Sequence, residues 1–267
     1  MKRDLNWTKS RRALTTTPSL SWSSMMPLWV ASPSSPSSPN RAGSKRPERP
    51  LGVRYTAAMG WYEKRIFNPL IERGLKGEAM DAERGRLLKN ARGRLLEIGP
   101  GTGLNFPHFP SDITRITSVS PEDELSPLAR ERARQRGATL RHVTSATPPW
   151  PFADGLFDTV VATLVLCSVK DVNRTLEEAR RVLAPGGKLL IFEHVLGDSI
   201  LHRACQHLWT PFLRQLACGC HANRQTQERI EAAGFAWDSL ETRRTVAMPW
   251  IVSSVIFGIA QKTEMPC

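Results

Sequence analysis

The stretch LLEIGPGTGLNF, Leu95 to Phe106, limits what this chain can become more than any other. An apolar run that reads as a buried strand carries Glu97 near its end and is followed by three glycines in five positions, Gly99, Gly101 and Gly103. Glycine adopts positive φ at little cost and has no Cβ to collide with an approaching group. A strand that breaks into such a turn is the opening of an α/β sheet whose backbone comes close to a ligand. Two cradles are excluded by spacing. A dinucleotide fingerprint needs a third glycine at 104, which is Leu104, and no Gly-Lys-Ser/Thr follows as a Walker loop requires. What remains is a site for a nucleoside-like ligand.

The chain around this turn alternates strand-like and helix-like segments. RLLEI (94–98), RITSV (115–119), TLRHV (139–143), FDTVVAT (157–163) and KLLIFEHV (188–195) are β-rich runs, separated by connections that include the helical patterns PEDELSPLARERARQRG and DVNRTLEEARRVL. APGG is expected to close the second of these helices. WDSLETRRT (237–245) and IVSSVIFGIAQ (251–261) follow each other with VAMPW between, which predicts an antiparallel hairpin. The expected fold is therefore α/β: a Rossmann-like, doubly wound, seven-stranded and mostly parallel sheet with an antiparallel C-terminal edge hairpin. Helical patterns before it, within 55–92, and a long insertion, 197–234, complete a domain spanning 55–267.

Residues 1–54 differ in kind. They are rich in Ser, Pro and Arg, a composition that predicts a disordered tail. Residues 1–50 hold nine Lys/Arg against two acidic residues, so much of the formal charge of +12 lies there and the domain itself invites no nucleic acid. An organelle-targeting segment, a plain linker, and a start upstream of the true one, with Met59 as the internal candidate, all fit this composition. Five cysteines without a C-x-x-C pair point to free thiols in a reducing, cytoplasmic setting. The apolar run IVSSVIFGIA has half of the ~20 residues a spanning helix requires, so membrane contact, if made, is peripheral.

The E-x-G-x-G-x-G spacing resembles motif I of the class I S-adenosylmethionine-dependent methyltransferases. PFADGLFDTVVATLVLCSVKD and LEEARRVLAPGGKLLIFEHV resemble that superfamily's fourth-strand and fifth-strand blocks. NPLIERGL, GPGTGLNFPHFP, TLVLCSV, FEHV and CGCHANRQT are together similar to the alkyl-thiol S-methyltransferases of the methyltransferase-like group and their bacterial relatives, often labelled methyltransferase type 11. The resemblance runs from about Tyr55 to Lys262. It implies S-adenosylmethionine as cofactor, with Glu97 ordering the turn, Gly99, Gly101 and Gly103 against the cofactor, and Asn105, Phe106 and Leu164 lining its site. Two positions depart from the family pattern. Ser120 stands where an acidic residue would take both ribose hydroxyls, leaving Glu122 or Asp123 to swing in, and Ser145 and Ala146 stand where an acidic contact to the adenine is expected.

Transfer of an activated methyl needs an in-line nucleophile about 3 Å from carbon, and removal of a proton where the nucleophile carries one. TLVLCSV lacks the Asn/Asp-Pro-Pro-Tyr/Phe pattern of enzymes that methylate bases, and a small apolar thiol suits such a mouth. Glu193 and His194, ending the fifth strand, and His221 in CGCHANR are the candidate assisting groups. For His194 a hydrogen bond to a neighbouring loop is an equally good reading. Cys218, Cys220 and His221 crowd three possible ligands into four residues with no distant partner, so no metal is expected. Cys167 reads as a core residue and Asp158 as a turn residue at the start of the fourth strand. In the resembled family the apolar faces of WYEKRIFNPLIERGL and LHRACQHLWTPFLRQLA are associated with membranes and cover an apolar substrate; ordinary packing on the sheet is the alternative. A small-molecule thiol acceptor is favoured, with a lipid or quinone acceptor, or a non-catalytic cofactor-binding protein, as alternatives.

Overall fold

The computed structural model describes residues 68–145 and 147–263; the expected tail and the first part of the N-terminal helices lie outside them. The elements run α1 (Asn68–Leu75), α2 (Glu78–Leu88), β1 (Leu95–Ile98), β2 (Arg115–Ser120), α3 (Pro127–Gln135), β3 (Thr139–Thr144), β4 (Phe157–Thr163), α4 (Val172–Val182), β5 (Leu183–His194), α5 (Ile200–Leu216), α6 (Thr226–Ala232), β6 (Phe235–Arg244) and β7 (Ser254–Lys262). The seven strands form one sheet in the order β3-β2-β1-β4-β5-β7-β6. The pairs from β3 to β5 are parallel, and β7 runs antiparallel to both β5 and β6.

Successive side chains on a strand point to opposite faces, and here each face has its own core. Leu95, Ile116, Val161, Leu190 and Phe192 pack with Met80, Leu87 and Leu88 of α2 and Ala129 and Ala133 of α3. Their neighbours Leu96, Val160, Ala162, Leu189 and Ile191 face the other way, onto Leu176, Ala179 and Val182 of α4 and Ile230 of α6. Strands covered on both faces must be apolar throughout, which is why LLEI is buried at all four positions. The helices begin where side chains cap them: Ser126 accepts from the Ala129 amide at 3.1 Å and Asp171 from the Arg174 amide at 3.1 Å.

The chain winds outward from β1 to β2 and β3, then returns to place β4 on the other side of β1. At such a reversal the loops leave in opposite directions and open a crevice beyond the C-terminal ends of β1 and β4, where open α/β sheets bind ligands. Asp158 belongs to the opposite end. Its carboxylate pairs with Arg94 at 3.0 Å and accepts the Arg94 amide at 2.8 Å, a clasp at the start of β1.

Two boundaries differ from expectation. The APGG segment does not stand outside the sheet as a helix terminator; strand pairing starts at Leu183, breaks, and resumes at Lys188 opposite Thr159. Pro185 has no amide to donate and Gly186 takes φ +67°, so the break falls where the ladder cannot continue. Residues 250–252 form a 3-10 turn rather than strand, with the Trp250 carbonyl accepting from the Ser253 amide and hydroxyl. Replacing the fully buried Leu176 with Ala should lower unfolding stability by about 2–5 kcal/mol through loss of apolar contact and an unfilled cavity. Urea denaturation followed by circular dichroism measures it.

Candidate active site

The three glycines of the turn serve different ends. All have positive φ, +61° at Gly99, +54° at Gly101 and +78° at Gly103. A Cβ on Gly99 would fall 2.4 Å from Val165 Cγ2, and one on Gly103 2.9 Å from the Ala129 backbone. These two let the turn pack against the loop after β4 and against α3. A Cβ on Gly101 would meet nothing within 4 Å. Gly101 is the glycine that faces open space, and its missing side chain is free to serve a ligand.

Beneath the turn lies a buried polar network. Asn105 Nδ2 donates to Glu97 Oε1 and to Thr163 Oγ1, each at 2.6 Å, and so ties the ends of β1 and β4 together. Glu97 is 1% exposed; burial raises its carboxyl to about 7, against the opposing pull of the Asn105 hydrogen bond and the Arg84 charge. Glu97 Oε2 and Asn105 Oδ1 are buried and, among the described residues, accept no hydrogen bond. Phe106 does not line a mouth as expected; it is fully buried in the core beside Phe109. The turn is also held from outside. Arg132 of α3 donates to the Thr102 carbonyl at 2.6 Å and pairs with Glu72 of α1, which also accepts the Thr102 hydroxyl. Burial works against the Glu72 carboxylate, but these bonds and the Arg132 charge hold it below its usual range.

Ser120 ends β2 with 5% exposure, directly after Val119, whose carbonyl accepts the Gly99 amide at 2.9 Å. Its own carbonyl accepts the Ser145 amide at 2.8 Å, while the Ser145 hydroxyl turns to the Thr147 carbonyl at 2.9 Å. Ala146 lies outside the described residues. Glu122 is anchored through its carbonyl, which takes His142 Nε2 at 2.8 Å. Leu164 directly follows β4 at φ +53°, a conformation that a branched, bulky side chain rarely adopts, and its amide is fixed on the Phe192 carbonyl at 2.8 Å.

The loop after β4 is shaped by Glu193. Its Oε1 accepts the amides of Val165 and Leu166, both at 2.7 Å, and it is fully buried, so burial and the neighbouring Cys167 raise its carboxyl well above the ordinary range. The CGCHANR segment folds onto this loop. Arg224 donates to the Val169 carbonyl at 3.0 Å and also to that of Leu166, and its guanidinium lies 3.1 Å from His221 Nδ1. Burial and the Arg224 charge push the His221 imidazole toward its neutral form. His194 points into the same junction, with Nε2 3.2 Å from Cys220 Sγ.

The fold supplies neighbours that the local spacing of Cys218, Cys220 and His221 did not show. Cys220 does have distant partners: its sulfur, the Cys167 sulfur and a ring nitrogen of His194 lie within 4.8 Å of one another, all buried. Cys167 is buried there beside Cys220, whose contact draws the Cys167 thiol below its usual range, while contact with Cys167 and burial push that of Cys220 up. Cys218 and His221 stand outside the cluster. No spacing rule brings together residues from the loop after β4, the end of β5 and a loop past α5.

Residues 96–191 match the family model described as a methyltransferase domain. The chain is 35% identical over 173 residues to the human thiol S-methyltransferase TMT1B, across 63% of this chain and 70% of that one. The chain belongs to the S-adenosylmethionine-dependent methyltransferases. It is also 35% identical over 114 residues to a phosphatidylethanolamine N-methyltransferase of Cereibacter sphaeroides, covering 41% of this chain and 55% of the relative. A solved S-adenosylmethionine-dependent methyltransferase of Methanosarcina mazei shares the fold, with a TM-score of 0.51, 21% identity, and cover of 63% of this chain and 91% of that one.

The turn of this methyltransferase fits the cofactor its family uses. Gly101 leaves room for close approach, and the unpartnered oxygens of Glu97 and Asn105 are acceptors suited to a cationic amino-acid end. Gly101→Val should abolish cofactor binding while leaving the fold intact apart from about 1 kcal/mol or more of backbone strain, whereas Gly103→Val should destabilise the fold itself. Thermal unfolding and cofactor titration, run side by side, separate the two. The raised Glu97 carboxyl favours folding below its unfolded pKa near 4.5, and that advantage is lost as pH rises through about 7. Between those limits wild-type stability should fall by on the order of 3 kcal/mol relative to Glu97→Gln, read from urea denaturation at each pH.

Proposed function

We propose that this methyltransferase transfers the methyl group of S-adenosylmethionine to the sulfur of a small apolar thiol. The observation that carries this reading is the identity with a thiol S-methyltransferase across 70% of that relative's length. The cofactor supplies a methyl already activated on sulfonium sulfur. Gly101, Glu97 and Asn105 hold its amino-acid side, and Ser120 and Ser145 take the ribose and adenine side with one hydroxyl each. Glu193 positions the loop after β4, so that Leu164 and Val165 border the acceptor, with His194 and His221 on the side of the insertion. A thiol with pKa near 8.5 is a few per cent thiolate at neutral pH, so alignment rather than strong base catalysis is the main task.

The exposed face of α5 supports an apolar acceptor drawn from a lipid surface. Leu201, Leu208, Trp209, Phe212 and Leu216 are exposed along it, and the helix carries Arg203 and Arg214 but no acidic residue. That is the composition of a helix lying in a membrane interface. Among the described residues no helix is long and apolar enough to cross a membrane.

Calorimetric titration of the full chain should give saturable, micromolar-range binding of S-adenosylmethionine and none of NADH. Ser120→Asp should tighten it by about tenfold, because a carboxylate takes two hydroxyls where serine takes one. Alkyl thiols should then be methylated in preference to phosphatidylethanolamine and quinols, with the pH of half-maximal rate tracking the acceptor's own thiol pKa. Turnover of phosphatidylethanolamine alone would replace the thiol reading, and folded protein without cofactor binding would remove the enzyme reading. On anionic vesicles, Trp209→Glu with Phe212→Glu should cut sedimentation of the protein several-fold.

A further inference from the structure

Three side chains remain whose arrangement the methyl-transfer chemistry does not require. Cys167 lies in the loop after β4, His194 ends β5, and Cys220 follows α5. Their ligand atoms lie within 4.8 Å of one another, His194 Nε2 is 3.2 Å from Cys220 Sγ, and exposure is 3%, 4% and 8%. Tetrahedral zinc with Zn–S near 2.3 Å and Zn–N near 2.0–2.1 Å places its ligand atoms roughly 3.5–3.8 Å apart, so little movement would close this set around an ion. Two sulfurs and one imidazole are a soft donor set that prefers zinc-class ions over calcium or magnesium. His194 Nδ1 is buried and, among the described residues, makes no hydrogen bond. The nitrogen that faces the sulfurs is Nε2, so it is the one that would take the ion.

We propose that Cys167, His194 and Cys220 bind a single thiophilic divalent cation of the zinc class, with a fourth position open to an external ligand. Three protein ligands and a free position are the arrangement of zinc sites that exchange ligands, as opposed to closed four-ligand structural sites. The ion joins the loop after β4, the end of β5 and the insertion at one point, and so holds the CGCHANR segment against the sheet. This inference does not rest on the identity of the methyl acceptor.

The test uses the full chain, reduced and freed of metal, titrated with Co²⁺ alone. One equivalent should bring up thiolate-to-cobalt charge-transfer absorption in the near ultraviolet and tetrahedral d–d bands in the visible, and Zn²⁺ should abolish both stoichiometrically. Cys220→Ser and His194→Ala should each weaken binding by about 100-fold or more, while Cys205→Ser and Cys218→Ser should leave it unchanged. Far-ultraviolet circular dichroism distinguishes lost ligands from lost fold. Ethanethiol should shift the charge-transfer band; an unchanged band overturns the open position. Folded, reduced wild-type protein that shows no charge-transfer band overturns the site, as does finding Cys167 and Cys220 joined in a disulfide in the freshly purified protein. Cobalt binding without thiol methylation would leave the site standing and remove only the acceptor reading; methylation by protein that takes up no cobalt would do the reverse.

Discussion

The Glu97–Asn105–Thr163 network is the interaction on which the rest of the site depends. β1 and β4 are adjacent and parallel, yet the loops that leave them diverge, so nothing in the sheet's own hydrogen bonding holds the crevice between them to a shape. One amide that donates at 2.6 Å to a carboxyl on one side and a hydroxyl on the other supplies that constraint. A carboxyl in a fully buried position is expensive unless hydrogen-bonded, and here the one hydrogen bond it accepts among the described residues comes from Asn105, just past the glycine turn.

Glu193 repeats the device one strand along. Its carboxyl receives two successive amides of the loop after β4, holding in place a loop that begins with the left-handed Leu164. Strain of that kind persists only where surroundings over-determine it, and the Phe192 carbonyl, Glu193 and Arg224 all bear on the same few residues. In each of the two strand-end carboxyls one oxygen is committed, to an asparagine in Glu97 and to two backbone amides in Glu193, while the other accepts no hydrogen bond among the described residues.

Much of the architecture was legible in the chain because period and punctuation agree. Strands buried on both faces demand apolar runs, and LLEI, FDTVVAT and KLLIFEHV all have them; Ser126-Pro127 and Asp171 mark helix starts by the chemistry of capping. Boundaries went astray where local signals serve two purposes. APGG reads as a terminator, yet a helix that runs straight into a strand uses the same residues as a break inside the strand. In the site, the glycine turn and Glu97 were legible because motif spacing reflects local backbone geometry. The clasp of Thr102 by Arg132 and Glu72 was not, since those residues are ordinary helix-surface charges until α1 and α3 meet over the turn.

What the sequence determined by itself is local: which segments are strand or helix, where a side chain is forbidden, and the family whose chemistry such a turn serves. Only the tertiary structure decided that Gly101 alone of the three glycines faces open space, that Phe106 belongs to the core, and that Cys167, His194 and Cys220 share one buried junction. The reason is physical. Periodicity and steric limits act over a few residues and are written along the chain, whereas proximity between the loop after one strand, the end of its neighbour and a loop far along the chain is set by how two cores pack across a twisted sheet.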